Sequence, residues 1–151
     1  MLHLTKKIML AITIVTDIGH ISRGGPVQSQ TLATRQSVPN RHLEQVLQTL
    51  VKNKILKGVR GPKGGYNLAR ERRLINLGEI VRTIIDSEAH KNTIGKNLDS
   101  ELVVNVIEPV WFEVQSEILE KLDNVTIEDL CNSARQKGIK GKTLENLNFD
   151  I

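Results

Sequence analysis

Only one cysteine, Cys131, occurs among the 151 residues. That excludes an internal disulfide and leaves too few thiolates for an iron–sulfur cluster, which is normally held by several. Aromatic residues make up 3% of the chain, with one Trp, one Tyr and two Phe. Proteins that bind single-stranded nucleic acid stack bases on aromatic platforms, so a duplex partner fits this composition better. No apolar run approaches the about 20 residues of a membrane-crossing helix. The longest candidate, Ile8 to Val15 after Lys6 and Lys7, lacks a small-residue cleavage site and meets Asp17 early, so it is expected to be a core helix of a cytoplasmic protein rather than a signal peptide. There is no triad-like arrangement, no His-x-x-x-His pair and no phosphate loop ending in Gly-Lys-Ser/Thr. No enzyme, metal site or cofactor is therefore expected.

What is present is a strong asymmetry of charge. Residues 1–73 hold 13 Lys and Arg against 3 acids, whereas residues 74–151 hold 8 against 14, which splits the net +4 into +10 and −6. A basic front half facing a polyanion, with an acidic remainder facing protein or solvent, is the division expected of a nucleic-acid-binding unit with a separate pairing element. At this length one compact domain with a real core is affordable.

The basic half is centred on Thr31 to Leu68. Leu32 and Ala33 mark a short helix, with Ser37 and Val38 at the angle. A second helix is expected from about Pro39, placed in its first turn, to about Asn53. Leu43, Val46, Leu47 and Leu50 fall on one face of it, and Arg41, Glu44, Gln45 and Gln48 on the other. This is helix-turn-helix patterning, in which the polar stripe presents the side-chain types that read base edges in a major groove. Ile55 to Arg70 then alternates apolar and polar residues around Arg60, Gly61, Pro62, Lys63, Gly64 and Gly65, a hairpin with a basic tip suited to a phosphate backbone or a minor groove. The expected DNA-contacting set is Lys6, Pro39, Asn40, Arg41, His42, Glu44, Gln45, Arg60, Gly61 and Lys63.

Around this unit, Thr5 is expected to cap a first helix with Ile8, Ala11, Ile12, Val15 and Ile18 turned inward. Gly24, Gly25 and Pro26 should form a turn. Asn76 with Glu79 opens another helix ending near Asp86. Residues 87–100 read as a connecting loop, where Asp86, Glu88, His90 and Asp99 are solvated rather than ligating. From about Ser100 to Leu122, Leu102, Val103, Val106, Val110, Val114, Ile118 and Leu122 recur near helical spacing, with Pro109 expected to kink the helix or else divide it near Asn105. So long an apolar stripe exceeds what a small head must cover, and a homodimer is expected. Thr126 and Asp129 form a capping box for a last helix that carries Cys131, the one candidate for redox chemistry, and ends near Gly138.

The segment LEQVLQTLVKNKILKGVRGPKGGYNLAR, Leu43 to Arg70, together with Thr126-Ile127-Glu128-Asp129, resembles the Rrf-two family of winged helix-turn-helix regulators, the IscR, NsrR and CymR type, over about residues 2 to 136. The resemblance implies a homodimeric transcription regulator, usually a repressor, whose effector binds near a long dimerisation helix. It places DNA contacts at Pro39, Arg41, Glu44, Gln45 and Arg60. Pro39 and Arg41 stand where the iron–sulfur regulator has serines, so a different target site is expected. The loop that holds three cysteines in cluster-binding members has none here, and Glu108 aligns roughly with the further ligand. The fold class expected is mainly α: a winged head over 1–86, a loop over 87–100, dimerisation and C-terminal helices over 101–138, and a tail over 139–151. Duplex DNA and a second copy of the chain are the expected partners, with a regulatory small molecule or protein as a third and no membrane. The other class kept open is a protein-interaction module built on a winged helix.

Overall fold

The computed structural model describes residues 5–22, 25–89 and 100–139. Six α-helices and one hairpin follow in the order α1 (Lys6–Ile21), α2 (Ser29–Gln36), α3 (Asn40–Lys52), β1 (Leu56–Val59), β2 (Gly65–Leu68), α4 (Leu77–Ala89), α5 (Glu108–Asp123) and α6 (Ile127–Gln136). A 3-10 turn, Arg72–Leu74, leads into α4, and a π-helical turn, Val103–Ile107, leads into α5.

Helix α1 starts where Thr5 Oγ1 accepts from the Ile8 amide at 3.3 Å, and it runs through the middle of the core. Ile8, Ala11, Ile14, Val15 and Ile18 are buried. Ile14 takes the place expected for Ile12, which is only partly covered at the edge of the core. Asp17, which interrupts the apolar run, lies inside this helix and is almost fully buried. Its carboxylate accepts two hydrogen bonds from Arg35 Nε, at 2.8 and 3.1 Å, one from Arg35 Nη2 at 2.7 Å, and one from the Gln36 amide at 3.1 Å. A buried carboxylate is tolerated only when paired and hydrogen-bonded in this way. The pair ties α1 to the end of α2.

The turn between α2 and α3 is closed by Ser37 in the left-handed region, φ 52°, with the Val38 amide reaching back to the Ala33 carbonyl at 3.1 Å. Pro39 is the N-cap of α3, one position before the first turn where the sequence places it, with extended backbone. That site also asks for no amide hydrogen from proline. Helix α3 then buries Leu43, Val46, Leu47 and Leu50, each worth roughly 1.5–3 kcal/mol relative to exposure. It ends in a double turn. The Ile55 amide donates to the Leu50 carbonyl at 3.0 Å and the Lys54 amide to that of Val51 at 3.1 Å, while Lys54 itself adopts φ 58°. This is the glycine-favouring closure of a helix. A lysine there costs about 1 kcal/mol, offset by the buried contact of Ile55 with the α3 stripe.

The strands pair antiparallel with Leu56 opposite Leu68 and Val59 opposite Gly65. Val27 adds a third, single-residue rung: its amide and carbonyl bond the carbonyl and amide of Tyr66 at 2.9 and 2.8 Å. A Cβ at Gly65, where φ is +155°, would stand 2.4 Å from the Val27 carbonyl oxygen, so that rung requires glycine. Helix α4 is capped by Asn76 Oδ1, which accepts from the Glu79 amide at 2.9 Å. It continues three residues past Asp86 to Ala89, with the Ser87 hydroxyl donating back to the Ile84 carbonyl. The loop expected over 87–100 therefore begins later, and its residues 90–99, with those of the tail beyond Ile139, lie outside the described residues. The π-helical turn Val103–Ile107, centred on Asn105, interrupts the α-helical ladder just before Pro109. It bonds the Glu108 amide to Val103 rather than to residue 104, which shifts the ladder where proline has no hydrogen to give.

Helix α6 folds back on the head. The Thr126–Asp129 capping box is formed in both directions, at 2.8 and 3.1 Å, and holds the Asp129 carboxyl below the usual carboxylate range. Backbone bonds join Ile127 to Ile75 and Leu77 to Val125. Ile127 and Cys131 lie in the same core as α1, with Cys131 Sγ directed at the Thr16 carbonyl, 3.7 Å away. Among the described residues no helix is long and apolar enough to cross a membrane.

Two outcomes follow from this packing. Replacing Asp17 by Ala leaves the Arg35 guanidinium without its carboxylate and is expected to cost about 3 kcal/mol, read as a lower urea midpoint with an unchanged slope; an Asp17→Ala, Arg35→Ala double variant should recover part of that loss. Burial pushes the Cys131 thiol up, so the thiolate fraction at neutral pH falls below that of a free cysteine. A thiol-specific disulfide reagent should leave the folded protein unlabelled for as long as it stays folded and label it fully in denaturant.

Candidate nucleic-acid interface

One helix, one hairpin and no linker make up the candidate surface. Because α3 buries Leu43, Val46, Leu47 and Leu50, its opposite side faces outward, and beyond buried Ile55 and Leu56 the residues Lys57 to Val59 of the hairpin are exposed while Tyr66 and Leu68 of β2 pack partly on the core. Pro39, Asn40, Arg41, His42, Glu44 and Gln45 are all exposed, as is Gln48 one turn further along. Arg41, Glu44, Gln45 and Gln48 fall within one stripe of the helix by its 3.6-residue period. The wing tip, Arg60 to Lys63, is exposed throughout. The Gly64 amide donates to the Gly61 carbonyl at 2.9 Å, and Gly61 has φ +113° with nothing near its missing Cβ. Glycine at 61 thus serves the backbone turn, and it also leaves the tip bare for a close approach. Lys6 stands exposed in the first turn of α1.

The electrostatics separate this surface from the rest of the molecule. Arg35, Arg70, Arg73 and Arg82 each hold a carboxylate, from Asp17, Glu79, Glu71 and Asp123. Among the described residues Lys6, Arg41, Arg60 and Lys63 hold none. Cations that fold without an acidic partner are free to neutralise phosphate and to release its counterions. Two features of the surface escape the sequence reading. One is Val27, which braces the wing through Tyr66. The other is the Asp17–Arg35 pair that seats α2 beneath α3. Neither carries a local signal, since both are pairings between distant segments.

Comparison with known proteins agrees with this geometry. Residues 4–133 match the Rrf2 family, described as "Iron-dependent Transcriptional regulator". The HTH-type transcriptional regulator IscR of Escherichia coli strain K12 is 28% identical over 141 residues, covering 93% of this chain and 87% of that protein. Among solved structures, IscR of T. potens superposes with a TM-score of 0.70 at 31% identity, over 90% of both chains. CymR, the global cysteine regulator of B. subtilis, does so with 0.67 at 26% identity, over 88% of this chain and 98% of its own.

The residues present do not fit a thiolate-held iron cluster. Cys131, the chain's sole cysteine, is enclosed in the core with its thiol pushed up by burial. Glu108 stands exposed on α5, and among the described residues no three His, Cys, Asp or Glu side chains converge. The helix-turn-helix, the braced wing and the family match together identify what the fold is for: the chain belongs to the Rrf2 family and is a DNA-binding transcription regulator.

Proposed function

We propose that the chain acts as a cytoplasmic homodimeric repressor that binds a roughly palindromic duplex site and does so without an iron–sulfur cluster. Arg41, Glu44 and Gln45 read base edges in the major groove, with Asn40 and His42 beside them and Pro39 fixing the entry of the helix. Arg60, carried with Gly61 and Lys63 on the wing tip, enters the adjacent minor groove, and Lys6 holds a phosphate. The observation that carries this reading is that Arg41 on the outer side of α3, Arg60 and Lys63 at the wing tip and Lys6 at the start of α1 are exposed without a carboxylate partner, whereas Arg35, Arg70, Arg73 and Arg82 are paired.

Dimerisation through α5 rests on a second observation. None of its residues is buried, and Val110, Trp111, Phe112, Val114 and Ile118 are exposed, Phe112 by 62%. Only Leu119 and Leu122, near its C-terminal end, pack on the head. An apolar surface of that extent marks a protein–protein contact. The occupant that fits is a second copy, because a two-fold pair of heads meets half-sites about 34–36 Å apart on one side of the duplex.

Arg60→Ala is expected to leave the thermal midpoint unchanged and to weaken binding to the cognate operator about tenfold, with a shallower dependence of log affinity on log salt; each phosphate contact contributes about −0.9 to that slope. A parent protein whose DNA affinity has no salt slope would instead be the protein-interaction module. Phe112→Asp should convert the dimer to a folded monomer in light scattering, and a variant that remains dimeric would remove α5 as the interface.

A further inference from the structure

An open cleft of about 1170 Å³ lies between the C-terminal end of α1, the wing strands, the 3-10 turn and one side of α6 from Glu128 to Arg135. No residue of α3 and none of the tip, 60–64, lines it, so it is separate from the proposed reading surface. Its walls carry Lys57, Arg70, Arg72, Arg73 and Arg135 against Glu71 and Glu128. Arg70 is neutralised by Glu79, and Arg73 by Glu71. Lys57, Arg72 and Arg135 remain, against Glu128 alone, a surplus of two positive charges.

The three cations come from different elements: Lys57 from β1, Arg72 from the 3-10 turn and Arg135 from α6. Arg72 gives one N–H to the Gly19 carbonyl at 3.3 Å and stands beside the Cys131 thiol, which leaves further N–H groups of its guanidinium fork for the cleft. Neutral donors add to the wall. Asn67 lies opposite Lys57 in the strand register, and its side-chain amide has N–H groups to give. A cation in the last turn of a helix is favourable in itself, which accounts for Arg135 taken singly. It does not account for Lys57 and Arg72, which stand on a strand and a turn and converge with it on one concavity of small-molecule size.

We propose that this cleft binds a small organic polyanion, a molecule with at least two phosphate or carboxylate groups, bridged by Lys57, Arg72 and Arg135. One anionic group cannot satisfy cations held on three separate walls, whereas two or more can each take a charge-assisted hydrogen bond. The ligand joins the root of the wing to α6, a position distinct from α5. Because binding here needs no DNA, it can stand or fall independently of the reading of α3 and the wing tip.

The test is isothermal titration calorimetry on the full-length protein with sodium pyrophosphate and, separately, sodium citrate, against sodium chloride at matched ionic strength. Saturable binding of one or both is expected, and which of the two binds more tightly tells phosphate from carboxylate chemistry. Lys57→Glu and Arg135→Glu, both at exposed positions, should each weaken it about tenfold or more. Lys52→Glu, an exposed charge reversal outside the cleft, should leave it unchanged, with circular dichroism confirming that all three variants fold. Absence of saturable binding by either anion overturns the proposal. So does full binding by the two cleft variants, or an equal loss in Lys52→Glu, which would place the anions on the basic surface at large.

Discussion

The contact of Leu50 with Ile55 governs the geometry of the reading unit. Helix α3 stops and the wing starts within the same hydrogen-bonded double turn, so no free torsion separates the two elements of the proposed DNA surface. The cost is a lysine with positive φ at position 54, sustained because the residues on either side of the turn are buried in one core. Val27 makes the arrangement stiffer from the far side by adding its rung to Tyr66. Helix and wing are thereby presented as one rigid object, which is what the proposed contacts at a fixed spacing along a duplex demand.

Charge is partitioned as strictly as apolar area. Asp17 and Arg35 consume each other inside the fold, Arg82 and Asp123 join α4 to the C-terminal end of α5, and the surface pair of Arg73 with Glu71 is worth little in solvent. The Arg82 partner holds Asp123 below the ordinary carboxylate range. Both groups are open to solvent, so this pair fixes an angle more than it adds stability. Among the described residues the cations left over include Lys6, Arg41, Arg60 and Lys63 on the outer face and Lys57, Arg72 and Arg135 around the cleft.

Much of this could be read from the residues in order. The stripe on α3, the hairpin with its glycine tip, and the caps at Thr5, Asn76 and Thr126 are local patterns whose period or spacing is set by the backbone itself. The pairings were illegible for the opposite reason. Asp17 with Arg35, Val27 with Tyr66, and Ile75 with Ile127 join segments whose separation carries no periodicity. Ile14 was missed because α1 is apolar on more than one side, leaving the phase of its buried face to be decided by α6 and α4. The end of α4 was placed early because a serine and a glutamate read as loop, although Ser87 satisfies a carbonyl of its own helix.

The π-helical turn at Val103–Ile107 has a bearing on how chains of this kind can change. Such a turn holds one residue more than the regular helix, which rotates everything before it by about 100° relative to everything after it. Leu102 and Val106 therefore do not continue the line of Val110, Val114 and Ile118, although a ruler of 3.6 residues laid along the letters says that they do. Deleting a single residue there would straighten the ladder and swing the start of the element around its axis without touching the head, so the two ends of this helix are able to diverge independently in the surfaces they turn towards a neighbour.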